Sequence, residues 1–502
     1  MDPSKPLAEA LVIKNGKIVA VGTNEEIHNE MPFGADIIDA GGNSVFPGFF
    51  DTHVHITSMG QSMSSLRLEK ARSKRELINL LISGESNIGE RQWLYGTGYD
   101  ESDYPEKMLP DMSELDELFG SRPVLLERTD CHQVLVNSAA FNALGLDPNE
   151  DGVVIDSDGR PTGVVKDPAN GKAHRVFSEE LLTDEMRKAF IRNAANEILK
   201  MGTTSISALE GGELFSDKDC DALLSIKDSL PLNIRMYHQT LDVSKVVAEG
   251  QKQIGGCIVL DGSLGSHTAA LFEDYSDMKG NKGNLYYSQR DIDDFVMEAN
   301  EKGLQVSMHC IGDRAIERLL KAYEKALDKN PRPNHRHRFE HFSLASDDQA
   351  ERALSLGCCL AMQPSYIKGE KMFNTRLGEN RVKMCLRFKD FLNMGFKVGG
   401  GSDAPVTPVN PFSGISFAME HFLPWERLNF WEGVRLFTTD AAYLTFEEAT
   451  RGSIVPGKWG DIAICDRNVM KMDLHKSDEL RNIEFNYTIT EGEIRYSKLN
   501  KK

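Results

Sequence analysis

Eight short apolar runs recur through the middle of this chain, the later ones separated by amphipathic helices. They are SVFPGFFDTHVH (44–55), TTSISAL (203–209), LNIRMYH (232–238), GCIVLDG (256–262), GLQVSMH (303–309), HRFEH (337–341), CCLAMQP (358–364) and FKVGGGSD (396–403). The intervening segments DIDDFVMEANEKG, GDRAIERLLKAYEKALDKN and SDDQAERALSLG carry a 3.6-residue apolar period, with their charges on one side. Strands and helices alternating in this way belong to the α/β class and build a parallel sheet. Eight such units suffice to close a TIM-like (β/α)8 barrel, whose chemistry sits at the C-terminal ends of its strands. An open doubly wound sheet is the alternative. Nothing in the chain resembles its GxGxxG phosphate loop, and eight units are many for it.

The two chain ends differ from the middle. EALVIKNGKIVAVG places two β-type runs around Asn15-Gly16, a strong hairpin signal. GSIVPGKWGDIAICD and FNYTITEGEIRYSKL are β-like again, with Gly/Pro turns. These ends predict a small composite β-sandwich domain from residues 1–47 and 446–502, enclosing a barrel domain over 48–445. Far more residues separate His55 from Thr203 than one barrel helix needs. Residues 60–190 therefore read as an inserted α+β capping region.

Composition narrows the function classes. A formal net charge of −18 argues against a nucleic-acid partner, which would demand a basic face. No uncharged apolar stretch approaches the ~20 residues of a membrane span, and MDPSKPLAEALVI does not read as a signal peptide. The 8 cysteines match no CxxC spacing and are sparse for a disulfide scaffold, so they read as reduced core residues. A cytoplasmic protein acting on a small molecule is the expectation, with neither nucleic acid nor membrane as partner.

His53 and His55 are two residues apart, which in a strand sets both side chains on one face. Alone, such a pair is weak evidence for a metal. His309, His341 and Asp403 each stand at or near the end of an apolar run, where a barrel faces its active site. Five groups on strands one, five, six and eight would then converge on one point. Imidazoles with a carboxylate at an open site are the ligands of a hydrolytic Zn2+ or a related divalent ion. The alternative for each residue taken singly is a satisfied histidine at a strand end.

PGFFDTHVH, RTDCHQVLVNSAA, GRPTGVV, LDGSLGSHTAAL, HCIGDRAIERLLKAYE, RHRFEHFSL, GGSDAPV and GSIVPGKWGDIAICD together resemble the amidohydrolase superfamily, and within it the YtcJ-like (amidohydrolase 3) branch. The likeness covers nearly the whole chain. It implies a metal-dependent hydrolase attacking a non-peptide C–N bond, of amide or N-substituted formamide type, in a small molecule. A deaminase of an aminated heterocycle, or a lactone hydrolase, is the alternative on the same site. The resemblance also implies roles. His53 and His55 would ligate the more buried metal, and His309 and His341 a second one. Asp403 would touch a metal and act as general base on a metal-activated water. One or two Zn2+ ions are implied, with another divalent metal as the alternative, and a homodimer is reasonable.

The chain departs from the family at one ligand. Relatives carry a lysine four residues before the aspartate of the fourth strand, carboxylated to bridge two metals in many members; here CIVLDG puts Cys257 there. A thiolate can ligate Zn2+, or the residue can be an inert core cysteine. The shorter side chain favours one strongly bound metal over a full two-ion centre. His132, Tyr366, Asp100 and Asp261 are candidate substrate contacts, His132 with a structural polar cluster as its alternative reading and Asp261 with bracing of the GSLGS loop as its own. Relatives also carry an apolar run ahead of the segment matching MDPSKPLAEA. Either that strand lies upstream of these 502 residues or the small domain lacks one edge.

Overall fold

The computed structural model describes residues 7–31, 34–85, 93–101, 104–128, 133–166, 169–212 and 216–498. The chain forms two compact units, one of residues 1–56 with 194–502 and the other of residues 57–193.

The first unit is built on eight parallel strands: β1 (Phe49–Val54), β2 (Thr203–Glu210), β3 (Asn233–His238), β4 (Gln253–Ile254), β5 (Gln305–Cys310), β6 (Arg338–His341), β7 (Cys359–Met362) and β8 (Val398–Gly400). They pair in sequence order from β1 to β8. Closure comes just past β8, where Asp403 N–H donates to His53 O at 2.8 Å and His55 N–H to Ala404 O at 3.0 Å. Every residue of β1, β2 and β5 is buried. This suits strands whose inner face fills the barrel and whose outer face meets helices. The helices Gln289–Glu301, Asp313–Lys329 and Asp347–Leu356 fall where the periodicity places them.

The run 44–55 divides at the boundary expected between residues 47 and 48, with Val45–Pro47 in the small sheet and β1 opening the barrel. Gly48 separates them at a point where a Cβ would lie 2.3 Å from Thr204 Oγ1. Val45–Pro47 joins Ile462–Cys465, Phe485–Thr490 and Glu493–Ser497 in a four-stranded antiparallel sheet. The hairpin Ala10–Lys14/Lys17–Gly22 ties to the C-terminal segment through Ile18 N–H on Lys458 O and Gly460 N–H on Gly16 O.

One expected strand is reshaped. The run 256–262 was expected to be strand four; the ladder instead ends at Ile254. Gly255 and Gly256 have φ of +96° and +60°, which turns the chain out of the sheet. It rejoins by one bridge, Val259 to His309. A Cβ on Gly255 would meet Ser307 O at 2.0 Å, so both the left-handed backbone and the space demand glycine here. Gly255→Ala is expected to destabilise the fold by roughly 1–3 kcal/mol, from strain and overpacking. A urea midpoint equal to that of the native protein would contradict this.

The second unit holds a six-stranded mixed sheet in the order 66–67, 94–99, 124–128, 133–136, 161–166, 153–155. Asp111 opens the helix Met112–Phe119 with a capping box to Glu114. No helix among the described residues is long and apolar enough to cross a membrane.

Candidate metal centre

Four imidazoles meet at the C-terminal mouth of the barrel, and each is held by one nitrogen. His53 Nδ1 donates to Glu340 Oε2 at 2.7 Å, and His55 Nδ1 to Leu209 O at 2.8 Å. His341 Nδ1 donates to Gln363 Oε1 at 2.6 Å, and His309 Nε2 to Gly262 O at 3.2 Å. Fixing the outer N–H fixes the tautomer, so the other nitrogen turns a lone pair inward. All four rings are at least nine-tenths buried. Neighbouring ring centroids are 5.3 Å apart for His53 and His55, 5.0 Å for His53 and His341, and 4.4 Å for His309 and His341.

Two anionic groups share this basin. Asp403 Oδ1 lies 3.2 Å from both His53 Nε2 and His55 Nε2. Cys257 Sγ lies 3.5 Å from His309 Nδ1 and 3.8 Å from His341 Nε2. Two sets of donor atoms each lie within 4.8 Å of one another: His53, His55 and Asp403, and His53, Cys257 and His341. His53 Nε2 belongs to both, and has no hydrogen-bond partner among the described residues. No lysine or arginine pairs with Asp403 among the described residues. An orphaned buried nitrogen beside a carboxylate and a thiol fits a divalent cation.

The electrostatics agree. Burial opposes charge on His55 and His309, but Asp403 and Cys257 act on His55, and Cys257 and Asp261 on His309, to raise both to about 10. Burial likewise opposes ionising Asp403 and Cys257. His53 foremost holds Asp403 well below the usual carboxylate range, and His309 foremost holds the Cys257 thiol well below its ordinary value. By contrast, burial pushes Cys310 and Cys358 up.

The surrounding groups are placed by backbone geometry that periodicity does not reveal. His341 and Asp403 adopt φ of +68° and +57°, costly for non-glycine residues and common where a site over-determines them. On a regular strand Glu340 and His341 would face opposite ways. The left-handed turn at His341 brings both to the barrel interior. Beneath His53, Arg338 Nε donates to Glu340 Oε1 at 2.8 Å, Arg338 Nη1 to Tyr237 Oη at 2.8 Å and Nη2 to Thr52 O at 2.9 Å. Glu340, Arg338 and Gln363 were not anticipated. A Glu and an Arg inside a short apolar strand were the available signal, since buried charges occur paired.

The substrate candidates separate. Tyr366, in the turn after β7, donates its hydroxyl to Asp403 Oδ2 and lies parallel to His341 at 6.0 Å. Asp261 is fully buried, and accepts N–H bonds from Ala270 at 2.8 Å, Ile311 at 3.0 Å and Gly312 at 2.8 Å. Of its two readings, bracing of the GSLGS loop is the one these bonds fit. Three backbone donors claim the carboxylate, which braces the loop beside His309. Asp100 belongs to the second unit, where Arg128 Nη2 donates to it at 2.7 Å. His132 lies outside the described residues.

A model of the amidohydrolase family matches residues 36–496. The YtcJ protein of Bacillus subtilis (strain 168) is 29% identical, over 98% of this chain and 96% of its own. The N-substituted formamide deformylase of Arthrobacter pascens is 25% identical, over 99% and 96%. The crystal structure of an uncharacterized metal-dependent hydrolase from Pyrococcus horikoshii OT3 superposes with a TM-score of 0.79 at 28% identity, covering 93% of this chain and 95% of that one.

Proposed function

Because this chain belongs to the amidohydrolase family, we propose that its metal-dependent hydrolysis of C–N bonds is directed at small amides and N-substituted formamides, with Asp403 as the general base. The observation that carries the reading is the set of inward imidazole nitrogens around Asp403, a carboxylate that no lysine or arginine pairs with among the described residues. The likeness to a formamide deformylase supports the substrate class.

His53, His55 and Asp403 would hold a Zn2+ ion, with His309 and His341 on the other side of the basin. The bound ion supplies Lewis acidity and makes water a nucleophile near neutral pH. Asp403 takes the proton from the attacking water and returns it to the leaving amine. Its Oδ2 is held by the Tyr366 hydroxyl, so Oδ1 keeps its place between His53 and His55. Whichever of His309 and His341 is not engaged by a second ion would stabilise the charge developing on the carbonyl oxygen.

Chelation is expected to abolish release of formate or carboxylate from N-substituted formamides and amides, and Zn2+ to restore it. Aminated heterocycles run beside them test the deaminase alternative by ammonia release. Full turnover in protein shown by elemental analysis to be metal-free would overturn the metal reading. Turnover confined to ammonia release would overturn the substrate class alone.

A further inference from the structure

We propose that the Cys257 thiolate is a direct ligand of the metal, making the site prefer thiophilic divalent ions such as Zn2+, Co2+ and Cd2+ over Mg2+ and Mn2+. The inference rests on the reading that this basin holds a metal, and adds to it which group binds and what that selects.

Geometry carries the argument. Bond lengths of about 2.3 Å to sulfur and about 2.0 Å to nitrogen, at a tetrahedral angle, place the two donors roughly 3.5 Å apart. Cys257 Sγ stands 3.5 Å from His309 Nδ1 and 3.8 Å from His341 Nε2. Its sulfur and the inward nitrogens of His53 and His341 form a compact ligand set. Of these, His53 Nε2 is fully buried, turned into the set and without a hydrogen-bond partner among the described residues.

The backbone is arranged to put the sulfur there. Gly255 and Gly256 turn the chain out of β4, and Cys257 N–H is then fixed by Gln239 Oε1 at 3.0 Å. An inert core cysteine needs none of this. Cys310, Cys358, Cys385 and Cys465 show the inert pattern, each packed into the main apolar cluster. Cys257 lies outside that cluster, in a small separate one with Leu209 and Tyr237, and turns its sulfur toward imidazoles.

His53 sharpens the assignment. Its Nδ1 is committed to Glu340, so its one remaining lone pair serves a single ion. Sulfur, with several lone pairs, is the donor able to complete the coordination of that ion or to hold another on His309 and His341. Soft thiolate donors favour Zn2+ and its relatives, whereas Mg2+ and Mn2+ favour oxygen.

The test is spectroscopic and independent of turnover. The full-length protein, stripped of metal and titrated with Co2+, is expected to show an intense thiolate-to-cobalt charge-transfer band in the near ultraviolet. Cys257→Ser and Cys257→Ala are each expected to lose that band. Either variant is expected to weaken Co2+ binding by more than the ~10–100-fold typical of losing an outer partner of a ligand. Circular dichroism confirms that the variants are folded. Since the band is read first in the native protein, a variant that fails to fold does not remove the test. Cobalt bound without the band, or a band that persists in both variants, overturns the thiolate assignment and leaves the metal centre standing. No cobalt bound at all overturns both.

Discussion

Asp403→Asn is expected to lower turnover by roughly 10²- to 10⁴-fold, the range that removal of a general acid–base group produces. The carboxylate is buried, sits 3.2 Å from two imidazole nitrogens through one oxygen, and accepts the Tyr366 hydroxyl through the other. Asparagine keeps the shape and one acceptor, but neither the negative charge nor a site for the transferred proton. Its NH2 also replaces an acceptor by a donor, either beside the Tyr366 O–H or in the ligand position between His53 and His55. Metal content, measured on the same sample, separates the two duties of the residue. A fall in turnover at full metal occupancy isolates proton transfer, and a parallel fall in both isolates ligation. Full metal with undiminished turnover would remove Asp403 as the base. Tyr366→Phe is the milder companion. It leaves Oδ2 of Asp403 without its donor and should lower turnover less than the asparagine does.

The contrast between these residues and the rest of the site shows what a one-dimensional pattern conveys. The barrel was legible because eight apolar runs recur with amphipathic helices between the later ones, and because burying both faces of a strand requires near-continuous apolar residues. His53, His55, His309, His341 and Asp403 were legible because each ends such a run, and the structure brings all five to one basin. Strand four was misread because GCIVLDG has the composition of a strand. Composition does not show that the preceding Gly255 and Gly256 leave the sheet at positive φ. The same blind spot hid Glu340. Alternation assigns it to the face opposite His341, and only the left-handed backbone at His341 reunites them. Asp261 kept two readings for another reason. A carboxylate after a strand looks available for substrate until the three N–H groups that occupy it are seen, and those come from residues 270, 311 and 312. Long-range hydrogen bonds of this kind leave no period in the sequence.

Glu340 carries the other large expected effect, because it joins the charge balance of the barrel interior to the orientation of a ligand. Both it and Arg338 are fully buried. Burial would raise the Glu340 pKa, but Arg338 foremost, then His53 and Ser307, hold it below the ordinary value. Glu340→Ala leaves the guanidinium uncompensated, a change expected to destabilise the protein by about 3–5 kcal/mol. That is a large share of the ~5–15 kcal/mol by which folded domains are stable. Glu340→Gln asks the finer question. Its amide oxygen can still accept from Arg338, which turns the NH2 toward His53 Nδ1, where the carboxylate now accepts a proton at 2.7 Å. A donor in that place drives His53 to the other tautomer, with N–H at Nε2, the atom aimed into the metal basin. Metal affinity should fall by roughly 10–100-fold, the effect of losing an outer partner of a ligating histidine. Nitrogen-15 shifts of His53 in the metal-free protein, read at a pH alkaline enough to leave the ring neutral, report the tautomer, and competition with a chelator reports the affinity. An unchanged affinity with the tautomer reversed would show that His53 does not ligate. An unchanged tautomer would show that Glu340 does not set the ring, whatever Arg338 requires of it.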